Sequence, residues 1–98
     1  MTVQVRPLTL DDVEAWADLL GVVFERPHQQ MRDLLHFLDE IAPLVACGAW
    51  ADGKLVAQYS CLLRDMILPD GRRETAGLSL NMAVHPNYRG QGLSLIHI

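Results

Sequence analysis

An arginine and two glycines near the C-terminal end of the sequence are the residues best suited to bind a charged ligand. They form the segment Arg89-Gly90-Gln91-Gly92, which follows a long apolar stretch. Glycines let the backbone approach a ligand closely, with its amides directed at a phosphate. An arginine adds a charge-assisted hydrogen bond, and a helix that begins at the turn adds free N–H groups and its positive dipole end. The segment predicts a phosphate-binding turn, although a bare Gly-x-Gly pair is more often an ordinary surface turn.

Two other glycine signatures do not match this turn. A Walker P-loop requires Gly-Lys-Ser or Gly-Lys-Thr, and the sequence contains neither. A Rossmann fingerprint requires a third glycine, whereas the corresponding residue is Leu95. We therefore expect neither of these two nucleotide sites.

The residues around the turn carry a more specific signal. The segment Leu80-Asn81-Met82-Ala83-Val84-His85-Pro86-Asn87-Tyr88-Arg89-Gly90-Gln91-Gly92 closely resembles motif A of the GNAT (GCN5-related N-acetyltransferase) superfamily. That motif consists of an apolar strand, a Val-x-Pro turn and the pattern Arg/Gln-x-x-Gly-x-Gly/Ala. Arg89 and Gly92 match its first and fourth positions, and Ser94 stands where Gly or Ala is usual. The segments Gln58-Tyr59-Ser60-Cys61-Leu62 and Ala76-Gly77-Leu78-Ser79-Leu80 also resemble the branch related to the enhanced-intracellular-survival acetyltransferases.

The resemblance implies transfer of an acetyl group from the cosubstrate acetyl-CoA to a primary amine. It further implies that backbone atoms of Met82, Ala83 and Val84 pair with the pantetheine arm and polarise the thioester carbonyl. Such fixed donors would stabilise charge that develops only in the transition state. The amides of Arg89, Gly90, Gln91 and Gly92 would hold the pyrophosphate.

The general base is not identified by the sequence, and the catalytic residues stay unknown. Many members of the family carry a Glu on the fourth strand, but residues 75–84 contain neither Asp nor Glu. Glu74 is expected to face solvent, and His85 has a suitable intrinsic pKa but occupies a turn, so neither is assigned. The missing carboxylate keeps open a non-catalytic acyl-CoA-sensing domain, and a small α/β interaction module is a third alternative. The amine acceptor is not identified: Glu25 could attract it, but a solvated loop charge is the more common role.

Two helices are expected to precede the strand that leads into the turn. After a first strand at residues 3–6, Thr9 can cap a helix, and the Asp12 side chain can reach back to the cap. Apolar residues spaced by three and four continue this helix until Pro27 stops it near Arg26. A second amphipathic helix is predicted over residues 29–41.

Three strands should complete the α/β fold. They are predicted over residues 44–51, 55–64 and 74–84, with a bulge or close approach at Gly77 in the last strand. Asp52-Gly53 predicts a tight hairpin turn, and Pro69-Asp70-Gly71 predicts a second turn of the same kind. The expected fold is a truncated GNAT-like α/β fold of order β-α-α-β-β-β. Its four-stranded sheet is mainly antiparallel and ends at the motif A turn.

Composition excludes several other classes of protein. The formal net charge is −4, whereas a nucleic-acid-binding protein normally carries a basic face. The sequence lacks a secretion signal and an apolar run long enough for a membrane helix, so a cytoplasmic location is expected. Cys47 and Cys61 are expected to be two buried thiols, and the four scattered histidines indicate no metal site.

The last six residues have an unusual origin in our interpretation. Leu93-Ser94-Leu95-Ile96-His97-Ile98 is what CTG-TCT-CTT-ATA-CAC-ATC encodes, which resembles the mosaic-end sequence of a transposon-based sequencing adapter. We expect residues 1–92 to be the N-terminal part of an N-acetyltransferase domain, inactive alone, and residues 93–98 to be adapter-derived. The alternative is a native apolar helix start, and the DNA sequence distinguishes the two.

Overall fold

One strand, two helices and three further strands follow one another in residues 2–90, which the computed structural model describes. Their bounds are β1 Val3–Leu8, α1 Val13–Phe24, α2 His28–Ile41, β2 Leu44–Ala51, β3 Lys54–Ile67 and β4 Arg73–Val84. The strands form one antiparallel sheet in the order β1-β2-β3-β4. The predicted α/β class and element order are confirmed. Residues 91–98, with Gln91, Gly92 and the expected adapter-derived tail, lie outside the described residues.

The predicted cap at Thr9 is present and opens a single 3₁₀ turn, Leu10–Asp12, that leads into α1. The Thr9 hydroxyl accepts a hydrogen bond from the Asp11 amide at 3.2 Å, and the Asp12 carboxylate accepts one from the Thr9 amide. Asp12 also forms an ion pair with Arg6 of β1 at 3.0 Å. The hydrogen bond from the Arg6 guanidinium holds the pKa of Asp12 below its ordinary value. The capping box therefore fixes the path from strand to helix.

The junction between the helices ends α1 slightly earlier than Arg26. The helix closes at Phe24, and Glu25 is left-handed with φ 54°. The Arg26 amide then donates to the Gly21 carbonyl at 3.0 Å, and Pro27 caps α2. A Cβ at Gly21 would lie 2.9 Å from the Arg26 carbonyl oxygen, so this tight junction requires glycine there.

The two predicted turns differ in type. Asp52 and Gly53 both have positive φ, 51° and 84°, as a two-residue hairpin turn requires. In the second turn the Gly71 amide donates to the Leu68 carbonyl at 2.9 Å, and only Gly71 has positive φ. The expectation that both turns are of one kind is wrong, because the proline ring holds φ of Pro69 negative.

The irregularity of β4 lies at Leu80 and not at the predicted Gly77. Gly77 pairs regularly with Leu63 of β3. Ser60 pairs with Asn81 and the next residue of β3 pairs with Ser79, so Leu80 is the extra residue of a β-bulge. A Cβ at Gly77 would have its nearest contact at 3.5 Å, an ordinary distance, so no close approach explains this glycine.

Trp16 of α1 packs against the side of the sheet that the helices cover. Its side chain is 1% exposed, and its indole N–H donates to the Gln58 side-chain oxygen at 3.1 Å. The amide nitrogen of Gln58 donates to Asn81 Oδ1 at 2.6 Å, and the Ser60 hydroxyl donates to the same oxygen at 3.1 Å. This buried chain of hydrogen bonds connects α1 with β3 and with β4 beside its bulge.

The opposite side of the sheet is less completely covered. Tyr88 packs there against a small cluster that includes Ala49, Val56 and Ala57. Cys47 and Cys61 are free thiols and are half-buried instead of buried as predicted. Cys47 follows Ala46 and Cys61 follows Ser60, and both of these preceding residues lie on the α1 side of the sheet. Because side chains alternate along a strand, the two thiols lie on the side that faces away from α1.

The contacts of His28 predict how stability depends on pH. His28 Nδ1 lies 2.5 Å from Asp18 and Nε2 lies 2.8 Å from Glu14, which also pairs with Arg32 at 2.7 Å. The hydrogen bonds that the His28 ring donates to Asp18 and then to Glu14 raise the pKa of His28 above its ordinary value of 6.5. Because the folded-state pKa is raised, this stabilisation is complete below pH 6.5 and is lost as pH rises through the folded-state pKa.

Thermal unfolding of the wild type and His28→Asn across this range measures that contribution. We expect the difference in Tm to be largest near about pH 6 and to shrink as the pH rises. The comparison isolates His28, because His85 and the carboxylates are common to both proteins. A difference in Tm that stays constant between about pH 6 and 9 would contradict the assignment.

Candidate active site

The outer edge of β4 carries main-chain groups that no described strand uses. β4 lies at the end of the sheet with β3 as its neighbour among residues 2–90. The His85 amide donates to the Val56 carbonyl at 2.7 Å, so His85 and Val56 form a hydrogen-bonded pair of the antiparallel ladder. Pairs that exchange hydrogen bonds alternate with pairs that do not. Ala83, opposite Gln58, is therefore bonded to β3, whereas the N–H and C=O groups of Met82 and Val84 face the open edge.

A hydrogen bond from Arg89 independently supports the outward direction of the Val84 carbonyl. The Arg89 Nε donates to the Val84 carbonyl at 3.2 Å, so that oxygen is not directed at β3. The guanidinium thereby lies against the end of β4, beside the turn. A positive charge and two outward-facing main-chain positions are brought together at one edge of the sheet.

The turn after β4 is held by His85 and Tyr88. His85 Nδ1 accepts a hydrogen bond from the Asn87 amide at 3.1 Å and caps a short 3₁₀ helix, Pro86–Tyr88. The Tyr88 amide donates back to the His85 carbonyl at 2.9 Å, and the two rings meet edge to face. Gly90 follows with φ 83°, a conformation that favours glycine. The backbone therefore leaves the strand along a defined path.

The environment of His85 favours its neutral form. Burial, followed by the nearby charges of Lys54 and Arg89, lowers the pKa of its imidazole below 6.5. Because Nδ1 accepts the Asn87 N–H, the proton of the neutral ring resides on Nε2. This arrangement assigns His85 a capping role, which its position in the sequence alone does not reveal.

The predicted site residues lie in two adjoining segments. Met82, Ala83 and Val84 lie consecutively on β4, and Arg89 and Gly90 lie in the turn. Glu74 is exposed, as expected for a solvent-facing residue, and its carboxylate lies 3.9 Å from the Arg72 guanidinium. It lies near the start of β4, whereas Met82 and Val84 lie at the end of that strand. Glu25 is exposed between α1 and α2.

Sequence reasoning missed Lys54 and Trp50. Both line a groove with His85, because the β2–β3 hairpin brings its tip beside the end of β4. The Asp52-Gly53 turn was the available signal, since it places the residues on either side of it at the same end of the sheet.

Neither a metal cluster nor a membrane-spanning helix is found in residues 2–90. This part of the chain contains no group of three or more His, Cys, Asp or Glu residues arranged to hold a metal ion. Over the same residues, no helix combines the length and apolar content needed to cross a membrane.

Several solved acetyltransferases share this fold. An acetyltransferase from Trypanosoma brucei matches with a TM-score of 0.73 and 23% identity, over 97% of this chain and 68% of its own. A ribosomal-protein-alanine N-acetyltransferase from Brucella melitensis biovar Abortus 2308 matches with a TM-score of 0.71 and 31% identity, over 97% and 65%. A predicted acetyltransferase from Clostridium acetobutylicum, solved with acetyl-CoA, matches with a TM-score of 0.76 and 14% identity, over 98% of this chain and 68% of its own. The chain therefore has the fold of these acetyltransferases, with an open strand edge that leads into a glycine turn.

A model of the acetyltransferase (GNAT) domain family matches residues 4–95, and the chain belongs to that family. The predicted resemblance of motif A is thereby confirmed. The chain spans about two thirds of the length of the three solved structures, 68%, 65% and 68%. Curated protein sequences include no significant match to it. The enhanced-intracellular-survival branch is not distinguished by these relatives and stays a prediction.

Proposed function

We propose that the protein transfers an acetyl group from acetyl-CoA to a primary amine. The amine nitrogen attacks the thioester carbonyl carbon, a C–N bond forms, the C–S bond breaks, and CoA leaves as the thiol. The amine loses one proton to a base or solvent, and the departing thiolate gains one proton from an acid or solvent. The observation that carries the proposal is the open edge of β4 at Met82 and Val84, directly before the turn.

The two outward-facing residues have separate tasks in this proposal. The Met82 N–H is the donor to the thioester oxygen, where negative charge develops as the amine attacks. The groups of Val84 pair with the amides of the pantetheine arm, in the manner of an added strand. Ala83 holds Met82 and Val84 in position, because its backbone is hydrogen-bonded to β3 and its side chain is 2% exposed.

The turn is proposed to bind the pyrophosphate. Gly90 has positive φ, and a Cβ added to it would meet no atom of residues 2–90 within 4 Å, so no described residue covers the backbone at this position. Gln91 and Gly92 are assigned to the same role from the motif alone. Arg89 contributes a charge, and its present partner, the Val84 carbonyl, must be released when it turns to a phosphate.

A non-catalytic acyl-CoA-binding domain is the second candidate function. It is favoured by the lack of Asp and Glu in residues 75–84 and by the capping role of His85. The two candidates differ in turnover and not in binding.

Binding and turnover should be measured on the protein expressed from its complete reading frame. We expect saturable binding of acetyl-CoA by calorimetry and amine-dependent release of CoA thiol with a mixture of primary amines. Binding without thiol release would select the sensing domain. No saturable binding of acetyl-CoA or CoA would refute both.

Replacing Arg89 tests the proposed phosphate contact. Loss of one charge-assisted hydrogen bond should weaken CoA binding by roughly tenfold in Arg89→Ala, and the salt dependence should become shallower. Arg73→Ala is the matched control, since it removes an exposed arginine at the opposite end of β4. Equal affinities for CoA in the two variants would argue against a phosphate contact by Arg89.

A further inference from the structure

A groove with a volume of about 420 Å³ lies between α1 and the β2–β3 hairpin and reaches His85. Leu19, Val22 and Leu55 contribute apolar walls. Four of its lining side chains are polar or have a polar edge: Asp18, Trp50, Lys54 and His85. The groove is therefore a mainly apolar space with a few polar groups, as small-molecule sites usually are.

The charge available in the groove is positive. Lys54 is exposed, is the single lysine of the chain, and forms no ion pair with any residue among 2–90. Asp18 is the one carboxylate that lines the groove, and its Oδ1 is already bound to His28 Nδ1 at 2.5 Å. Among residues 2–90 the Lys54 ammonium is thus unpaired, whereas the Asp18 carboxylate has the His28 ring as its partner.

The remaining polar groups of the groove are donors as well. His85 Nδ1 accepts the Asn87 N–H, so Nε2 carries the proton and is free to donate. The indole Nε1 of Trp50, a third donor, is itself buried. Lys54 and His85 therefore favour a ligand that accepts hydrogen bonds.

We propose that this groove binds a small organic anion, a carboxylate on an aromatic or apolar body of about the size of phenylacetate. The carboxylate contacts Lys54 and the Nε2–H of His85, and the apolar body lies along Leu19, Val22 and Leu55. This site is distinct from the open edge of β4, although it shares His85 with the turn that follows that strand, and it takes a ligand of opposite charge to an amine acceptor. It is a second site and does not depend on the proposed acetyl transfer.

Titration of the complete protein with phenylacetate, followed by NMR, tests the site. We expect saturable binding, and 2-phenylethylamine, the charge-reversed analogue, should not bind. Lys54→Gln should weaken phenylacetate binding by about tenfold or more, since it removes a hydrogen bond to a charged group. Lys54→Arg should retain most of the affinity, because it keeps the charge. Arg64→Gln, which removes an exposed cation outside the groove, should bind like the wild type.

Val22→Glu provides a second variant that does not alter Lys54. Val22 lines the groove and is 50% exposed, so the substitution adds a negative charge without disturbing the core. It should abolish phenylacetate binding. Circular dichroism and thermal unfolding of the same samples verify that each variant is folded.

Three results would overturn the proposal. They are no saturable phenylacetate binding by the folded protein, equal binding of 2-phenylethylamine, and unchanged phenylacetate affinity in both Lys54→Gln and Val22→Glu. A protein that binds phenylacetate as expected but fails to bind CoA would refute the proposed function and leave the groove intact.

Discussion

Met82→Pro is expected to leave the protein folded and to lower kcat for acetyl transfer by about 10²–10³-fold, the cost of one oxyanion-hole donor. Proline has no N–H, and the Met82 N–H faces the open edge of β4 and not β3. Proline is tolerated on edge strands where the missing donor would face outward. The substitution therefore deletes the proposed catalytic donor with little effect on the sheet. The measurement is steady-state thiol release by the complete protein.

Two neighbouring substitutions serve as controls for this result. Met82→Ala keeps the N–H and removes a side chain that is 49% exposed, so it should retain activity. Ala83→Pro removes an N–H that bonds to Gln58 of β3, so it should destabilise the sheet and lose structure by circular dichroism. If Met82→Pro were folded and as active as Met82→Ala, the Met82 N–H would have no catalytic role.

Trp16→Ala is expected to have the largest effect on stability, a loss of about 3–5 kcal/mol in the free energy of unfolding. Trp16 lies on α1, is 1% exposed and packs against the sheet. Its loss leaves a large cavity and also leaves the Gln58 side-chain oxygen buried without its donor. Native proteins are stable by only about 5–15 kcal/mol, so this loss removes a large share of the total stability. Urea denaturation of the wild type and the variant measures the change.

Controls separate the cavity from the hydrogen bond. Phe37→Ala removes an aromatic side chain of α2 that is 55% exposed and should cost about 0.5 kcal/mol or less. Trp16→Phe keeps most of the side-chain volume but leaves the Gln58 side-chain oxygen without its donor, at a cost of about 1–3 kcal/mol. Adding Gln58→Leu to Trp16→Phe should cost less than the sum of the single changes, because the stranded oxygen is then absent. Strict additivity would show that the Trp16–Gln58 bond contributes nothing to stability.

The elements of the fold could be predicted because their signals are local. The stripe of apolar residues that includes Trp16 and Leu20 defines α1, and Pro27 ends the helix region whatever surrounds it. Asp52-Gly53 forms its hairpin turn because both residues adopt positive φ readily. The one turn whose type was mispredicted, at Pro69, also has a local explanation in the ring of proline.

The bulge could not be predicted in the same way. Glycine at position 77 was a reasonable signal for an irregularity, but Gly77 pairs regularly and Leu80 is the extra residue. A bulge depends on how two strands align over many pairs, and leucine carries no local preference for it. The half-buried state of Cys47 and Cys61 likewise depends on which side of the sheet the helices cover.

Motif A and the pattern of apolar residues were sufficient to recognise the family, the element order and the candidate turn from Arg89 to Gly90. These are properties of neighbouring residues, for which short-range sterics and hydrogen bonds dominate. The pairing of β3 with β4 then distinguishes Met82 and Val84, which face the open edge, from Ala83, which does not. It also brings His85 beside Lys54 of a distant hairpin. Both outcomes depend on the register between strands far apart in the chain, and a shift of one residue would reverse which groups face outward.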